Sequence, residues 1–376
     1  MKTPLAWRNL MHSKGRVLLA VAGIGFAIML MFIQLGFYGS IVTGATLVFD
    51  HLDFDVAIVS SQYDYLPRSR SFPRERLYQA RSLPGVERVA PFYVARNIWK
   101  NPESRARRSV LVMGFDPNEP VFLVPDIQQR IEQLRSRDTL LVDSQTRPSY
   151  GKREPGMTTQ IGNRDLQILG EYRLGTAFVE LGMVVMSDLN FVRSFPGSSI
   201  NDVSIGLIRV TPGSDLKSVT SQLATALPAD VKVYTRKEFS EHEQHHWVTK
   251  TSTGFIFGSG VIVAFVVGMV ILYQTLSTQI TKHLPEYATL KAMGYSPGYL
   301  SSVVLQQSGL MAVFGFIPGC LVAAGLYHYV RKATFLPIEM TASRVVVVLV
   351  LALLMSGVSG WLSMRKVTMA DPADLF

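Results

Sequence analysis

Four long segments of this 376-residue chain contain no Asp, Glu, Lys or Arg, at residues 17–49, 251–281, 292–330 and 345–364. A helix that crosses a bilayer needs about 20 predominantly apolar residues, and each segment supplies them. The sequence therefore predicts a membrane protein with four transmembrane α-helices. Residues 50–250 separate the first two segments, so we expect one large extracytoplasmic domain between the first and second spans.

The first apolar segment could instead be a cleaved signal peptide. Its apolar stretch is longer than the roughly 7–15 residues of a signal sequence, and no A-x-A-like cleavage site follows closely. We therefore expect this segment to be retained. The predicted organisation is a tail with the first span at 1–49, an extracytoplasmic domain at 50–250 and a three-span region at 251–376.

The formal net charge of +9 raises the question of a nucleic-acid partner. Residues 50–250 contribute only +2, from 26 basic and 24 acidic residues, whereas the first sixteen residues contain four basic residues and no acid. The excess charge therefore flanks the membrane, where basic residues orient spans and contact anionic lipid. A lipid bilayer explains the charge, and no nucleic-acid partner is expected.

The short loops predict the orientation of the spans. The N-terminal tail, the loop 282–291 and the C-terminal tail hold eight basic residues together, and the loop 331–344 holds three. By the positive-inside rule both termini face the cytoplasm, and residues 50–250 lie in the periplasm outside a bacterial inner membrane. The single cysteine, Cys320, lies in the third span, which excludes a disulfide within the chain.

The extracytoplasmic domain has the pattern of a mixed α/β fold. Runs rich in β-branched residues predict strands at 55–61, 110–115, 138–143 and 203–210. Amphipathic stretches between them predict helices at 73–83, 126–137 and 213–227. Their alternation suggests small βαβ or split-βαβ units.

The sharpest enzymatic motif is HEQHH at 242–246, which fits H-E-x-x-H. On a helix, His242 and His246 could bind Zn²⁺ while Glu243 acts as a general base. No third ligand is specified, and Trp247 follows just before the second span. An amphipathic helix with an interfacial tryptophan, leading into the membrane, explains the same residues without metal.

No other motif supplies an energy source for this chain. The sequence contains no G-x-x-x-x-G-K-[ST] pattern, so we expect no ATP bound through a P-loop, and no cofactor in this chain. The charge-free segments also lack the carboxylate that ion-coupled carriers usually need. In the third span, Gly315, Pro318 and Gly319 form a G-x-x-x-G pattern with a proline that can bend the helix, which favours helix packing.

The loop between the second and third spans reads as a complete short helix at 285–294. Pro285 suits the first helical position, and Glu286 places a negative charge in the first turn. Lys291 lies in the last turn, and Gly294 is placed to end the helix. Ser296 and Pro297 then start the third span as N-cap and first residue.

One face of this short helix is apolar, because Tyr287, Leu290 and Met293 fall within an arc of about 120°. The helix could lie on lipid headgroups, or it could insert into a cytoplasmic partner. A rigid helix held between two spans would transmit force well.

The loop HLPEYATLKAMGY, residues 283–295, resembles the cytoplasmic loop of FtsX/MacB-type ABC transporter permeases, and most closely the cyanobacterial DevC-type exporter permeases. The order of one span, a large outer domain and three spans is also similar. Shorter matching stretches are LAWRNL (5–10), LMFIQLGF (30–37), GFIFG (254–258), FGFIPG (314–319) and ADPADLF (370–376).

The resemblance implies that the loop, residues 282–298, docks on a separate cytoplasmic ABC ATPase that holds ATP and Mg²⁺. The residues assigned to this coupling are Pro285, Glu286, Tyr287, Leu290, Lys291, Met293 and Gly294. It also implies a second copy of this chain, a periplasmic adaptor (membrane fusion protein) and a TolC-like outer-membrane duct. The histidines at 242–246 belong to no motif of that family.

We therefore expect a non-catalytic permease subunit of an ABC exporter, with a lipidic substrate suggested by the DevC resemblance. One alternative is an FtsX-like subunit that transmits mechanical force to regulate an extracytoplasmic hydrolase. Another, of a different class, is a membrane-anchored zinc metalloprotease that uses His242, Glu243 and His246.

Overall fold

A computed structural model describes the chain at residues 14–175, 181–283, 285–286, 289, 293 and 295–368. Within it the chain forms two units. The helical unit contains residues up to Gly39, Thr253–Ala333 and the chain from Ile338 onwards. The α/β unit contains Ser40–Ser252 and Thr334–Pro337.

Helices are numbered in chain order. They are α1 (Lys14–Asp50), α2 (Glu75–Arg81), α3 (Pro125–Gln128), α4 (Ile131–Leu134), α5 (Asp188–Ser194), α6 (Leu216–Ala226), α7 (Arg236–His245), α8 (Ser252–Lys282), α9 (Pro297–Thr334) and α10 (Ala342–Thr368). Short 3-10 turns form at Leu66–Arg68 and Pro148–Tyr150, and a π-helical turn forms at His246–Lys250.

Helices α1, α8, α9 and α10 are long and apolar enough to cross a membrane, with mean hydropathies between 2.0 and 2.7. The four charge-free segments lie largely within these helices, although α8 begins one residue and α9 begins five residues after the start of its segment. The prediction of four spans, with a mixed α/β domain between the first and second, is confirmed. Each helix ends one to four residues after its charge-free segment because backbone hydrogen bonding continues into the polar flank.

The α/β unit is built on a mixed nine-stranded sheet. The strands are β1 (Val56–Ser60), β2 (Phe72–Pro73), β3 (Val86–Lys100), β4 (Arg107–Phe115), β5 (Thr139–Asp143), β6 (Thr158–Ile161), β7 (Arg164–Tyr172), β8 (Met183–Ser187), β9 (Asp202–Val203), β10 (Ile205–Val210) and β11 (Val231–Thr235). Their order is β11-β1-β10-β3-β4-β8-β5-β7-β6, and β3 also pairs with β6. The β4–β8 and β5–β7 pairs are parallel, and the other pairs in this sheet are antiparallel. Strands β2 and β9 form a separate small sheet.

Both faces of the large sheet are covered by hydrophobic clusters. In β1, Ala57 and Val59 belong to one cluster, and Val56 and Ile58 belong to the other. Because successive side chains of a strand point to opposite faces, this alternation places one core on each side of the sheet. The last turn of α1, with α3, α4 and α7, covers one face, and α2, α5 and α6 cover the other.

Among the described residues, side-chain caps start three of the six helices that lie wholly in this unit, α5, α6 and α7. Asp215 caps α6 by accepting hydrogen bonds from the backbone N–H groups of Lys217 and Ser218. Thr235 and Glu238 form a reciprocal capping box at the start of α7. The predicted helices at 73–83 and 213–227 are present with shorter bounds, as α2, which has no side-chain cap among the described residues, and as α6.

The predicted single helix at 126–137 is wrong. The segment forms two short helices, α3 and α4, separated at Arg130, whose backbone angles (φ −113°, ψ 11°) leave the helical region. The Arg130 guanidinium donates to the carbonyl of Asp126 at 3.2 Å, so a side chain replaces the backbone donor of a continuous helix. The helix α7 and the π-helical turn that follows it are separated from α8 by Thr251, which adopts an extended conformation (φ −102°, ψ 146°).

Candidate functional site

The loop between α8 and α9 is short, and it is helical at three of its described positions. Pro285, Glu286 and Thr289 have helical conformation, and the N–H of Met293 donates to the Thr289 carbonyl at 2.9 Å. Of the residues assigned to coupling, Tyr287, Leu290, Lys291 and Gly294 lie outside the described residues. The three helical positions and the hydrogen bond from Met293 to Thr289 lie within the predicted helix at 285–294.

Both ends of this loop are held by side-chain hydrogen bonds. Glu286 Oε2 lies 3.0 Å from His283 Nδ1, which pairs the first turn of the loop helix with the residue that follows α8. At the other end, Ser296 Oγ accepts from the N–H of Tyr299 at 3.3 Å, so Ser296 caps α9 as predicted. Each end of the connection between the two spans is therefore fixed by a local side-chain hydrogen bond.

The loop exposes a large apolar surface. Met293 is 63% exposed, Tyr295 is 47% exposed and Tyr299 is 41% exposed. The rings of Tyr295 and Tyr299 lie 5.2 Å apart, so these two side chains form one patch. With the carboxylate of Glu286, this surface offers apolar contacts and a charge to whatever covers it.

The glycines of the third span lie at a close helix–helix contact within the helical unit. A Cβ on Gly315 would lie 2.6 Å from Ile24 Cγ2, and a Cβ on Gly319 would lie 2.6 Å from the carbonyl oxygen of Gly25. Pro318 lies inside α9, and its Cγ faces Gly25. Only residues without a Cβ allow the backbones of α1 and α9 to approach this closely.

Glu243, the residue that a zinc protease would use as its general base, is buried inside the α/β unit. Its carboxylate accepts from the Tyr63 hydroxyl at 2.5 Å through Oε1 and from the Leu66 N–H at 3.2 Å through Oε2. Burial raises the pKa of Glu243 to about 7, although both hydrogen bonds act in the opposite direction. This geometry gives Glu243 a structural role.

The two neighbouring histidines bind the same loop as Glu243. His246 Nδ1 lies 3.1 Å from a carboxylate oxygen of Asp64, and His242 Nε2 lies 3.2 Å from the Asp64 carbonyl. Among the described residues no group of three His, Cys, Asp or Glu side chains could hold a metal ion. The motif therefore does not assemble a zinc site in this part of the structure.

The loop that receives these contacts, Tyr63–Arg68, was missed by sequence reasoning. It lies 180 positions before Glu243 in the chain, so no local pattern connects them. The sequence feature that could have indicated these contacts is the pair of tyrosines in YDYLPR. Two aromatic side chains this close together in a loop favour packing against the domain over full exposure. We refer to residues 63–68 as the YDYLPR loop.

Comparison with known proteins identifies both parts of the chain. The family described as "MacB-like periplasmic core domain" matches residues 17–226, and the family described as "FtsX-like permease C-terminal" matches residues 258–372. No curated protein matches the chain at a significant level.

Two solved structures show similarity to about half of this chain. The periplasmic region of MacB from Actinobacillus actinomycetemcomitans is 9% identical, with a TM-score of 0.36, over 52% of this chain and 94% of that one. The extracellular domain of the noncanonic ABC-type transporter YknZ from Gram-positive bacteria is 14% identical, with a TM-score of 0.35, over 48% of this chain and 98% of that one.

The two family matches follow one another along the chain, and together they span the first helix, most of the α/β domain and the last three spans. This is a multi-pass inner-membrane protein, and the chain belongs to the FtsX/MacB-like family of ABC transporter permeases.

Proposed function

We propose that this chain is the non-catalytic permease subunit of an ABC exporter. In this proposal a separate cytoplasmic ATPase binds ATP and Mg²⁺, and the permease transmits its motion to the extracytoplasmic domain. The observation that carries the proposal is the loop between α8 and α9, which is helical at Pro285, Glu286 and Thr289, is held at both ends and exposes Met293 and Tyr295.

The exposed surface of the loop favours a protein partner over water. Apolar side chains at an aqueous surface are stabilised when a partner covers them, and the Glu286 carboxylate adds a charge for specificity. A lipid headgroup layer could also cover Met293, but it would not make use of a loop with fixed ends. We propose that the loop and both termini lie in the cytoplasm.

The family supplies the rest of the proposed assembly. Two copies of this chain would pair with two ATPases, and the outer domain would engage a periplasmic adaptor joined to a TolC-like duct. The match to a MacB-like periplasmic core domain supports an exporter over a regulator of a hydrolase. A lipidic substrate is proposed because of the resemblance of the loop to DevC-type permeases.

Substitutions in the loop test the coupling role. We expect Glu286→Lys, or Leu290→Asp combined with Met293→Asp, to lower permease-stimulated ATPase activity by about tenfold or more, the effect of losing about 1.4 kcal/mol of binding. The measurement uses the full-length chain with its ATPase in proteoliposomes. Glu87→Lys, which makes the same charge change at an exposed position of β3, is the control and should leave the activity unchanged.

Two results would contradict the proposal. Unchanged association with the ATPase and unchanged stimulation in the loop variants would remove the docking role of residues 285–294. Co-purification distinguishes the alternative, because an exporter should retain an adaptor and a duct, whereas an FtsX-like regulator should retain an extracytoplasmic hydrolase.

A further inference from the structure

A cavity of about 530 Å³ lies in the α/β unit, and some of its lining residues come just before α8 in the chain. Its walls come from the YDYLPR loop and from the π-helical turn His246–Lys250. The lining residues are Asp64, Tyr65, Arg68, His246, Trp247, Lys250 and Thr251. The volume falls in the range of about 300–1,000 Å³ that is typical of ligand pockets.

The shape of this cavity is set by the buried contacts of Glu243. The Glu243 carboxylate holds Tyr63 and Leu66, so Tyr65 between them is fixed. The Tyr65 ring stacks on His246 at 4.4 Å and meets the edge of Trp247 at 5.4 Å. The cavity is therefore preformed, which lowers the entropic cost of binding a ligand.

Two cations line the cavity without a partner of their own. Arg68 and Lys250 are exposed, and neither side chain forms an ion pair or hydrogen bond with any described residue. The carboxylate of Asp64 is in contact with His246 at 3.1 Å. Burial lowers the pKa of His246, so at neutral pH its ring donates to Asp64 while remaining uncharged. The cavity thus has an excess of positive charge.

Part of the cavity wall directly precedes the second span in the chain. Its lining residues His246–Thr251 directly precede Ser252, the first residue of α8. Tryptophan and tyrosine are enriched at the depth of the lipid headgroups, and Trp247 and Tyr65 both line this cavity. Arginine and lysine bind phosphate through charge-assisted hydrogen bonds.

We propose that this cavity binds the phosphate-bearing headgroup of an anionic membrane lipid, with Arg68 and Lys250 as its cationic contacts. Trp247 and Tyr65 would contact the glycerol region of the lipid. The role is a specific contact between the outer domain and the bilayer, separate from the coupling loop and independent of the exported substrate.

Lipid titration of the purified, delipidated full-length protein, followed by native mass spectrometry, tests this proposal. Phosphatidylglycerol and phosphatidylcholine with the same acyl chains are compared. We expect the double variant Arg68→Gln/Lys250→Gln to bind phosphatidylglycerol about thirtyfold more weakly, since each basic residue near the surface contributes about fivefold. Its affinity for phosphatidylcholine should not change.

The matched control is Arg70→Gln/Lys232→Gln, which removes two exposed cations that do not line the cavity. It should keep the wild-type affinity for phosphatidylglycerol. Equal losses in both double variants, or no loss in Arg68→Gln/Lys250→Gln, would overturn the proposal. Inorganic phosphate alone is the third probe. If it displaced phosphatidylglycerol at equal concentration, the proposal that the ligand is a lipid would be overturned. Thermal unfolding of each variant verifies that the fold is intact.

Discussion

Glu243 makes the sharpest prediction about stability, because its two oxygens hold groups from a distant loop. In Glu243→Ala, the Tyr63 hydroxyl and the Leu66 N–H lose their acceptor inside the α/β unit. An unsatisfied buried polar group costs about 1–3 kcal/mol, so we expect a destabilisation of about 3 kcal/mol. In Glu243→Gln the amide oxygen can accept from Leu66 and the amide nitrogen can donate to the Tyr63 oxygen. We therefore expect a change within about 1 kcal/mol at pH 6.

The same carboxyl predicts a pH dependence with a defined sign. Its pKa rises from 4.5 to about 7 on folding, chiefly because burial disfavours the charged form. Between these values the folded state binds more protons than the unfolded state, so the free energy of unfolding falls as pH rises through 7. A shift of this size corresponds to a loss of about 3 kcal/mol from this group. Glu243→Gln has no such loss, so the variant should gain stability relative to the wild type between pH 5 and pH 8.

Two measurements on the full-length protein in detergent test this reasoning. Thermal unfolding at several pH values compares the wild type with Glu243→Ala and Glu243→Gln. Hydrogen exchange of a peptide that covers Leu66, corrected for the intrinsic pH dependence, reports local opening of the YDYLPR loop. A constant difference between wild type and Glu243→Gln across this pH range would refute the argument. So would equal destabilisation by alanine and glutamine.

Three further predictions follow from other contacts. Gly319→Ala should destabilise the helical unit by about 1–3 kcal/mol in detergent unfolding, because the new Cβ meets the Gly25 carbonyl. The control is Gly325→Ala on the same helix, which has open space around the new Cβ and should leave the stability unchanged. Asp215→Ala should lower the free energy of unfolding by about 1 kcal/mol through loss of the α6 cap, whereas Asp215→Asn should keep most of that stability. Equal destabilisation by the two substitutions would contradict the capping role. Treatment with EDTA should leave the unfolding temperature of the protein unchanged. If elemental analysis found stoichiometric zinc in the purified protein, that result would contradict the structural role of Glu243.

Elements that depend on local pattern could be predicted from the sequence. The four spans follow from the length of the charge-free segments, since lipid requires a helix to satisfy its own backbone hydrogen bonds. The start of α9 at Pro297 after Ser296 follows from the chemistry of helix caps. The loop that resembles permease coupling helices was visible for the same reason, because its signals all lie within ten residues.

Features that depend on distant contacts could not be predicted. Strand β3 extends over fifteen residues with several charged side chains, and its neighbours β10 and β4 define it more than its own composition does. The break between α3 and α4 at Arg130 depends on a side-chain hydrogen bond, and helix propensity takes no account of such a bond.

The HEQHH segment shows most clearly the difference between what local sequence determines and what distant contacts determine. The sequence alone determined that these residues lie on a helix shortly before a span, where either metal binding or a surface position was chemically reasonable. Only the tertiary structure decided that Glu243 points into the domain, because the groups that hold it come from a loop 180 positions earlier. The physical reason is that local sequence sets backbone conformation within a few residues, whereas burial and hydrogen-bond partners depend on which distant segments the fold brings together.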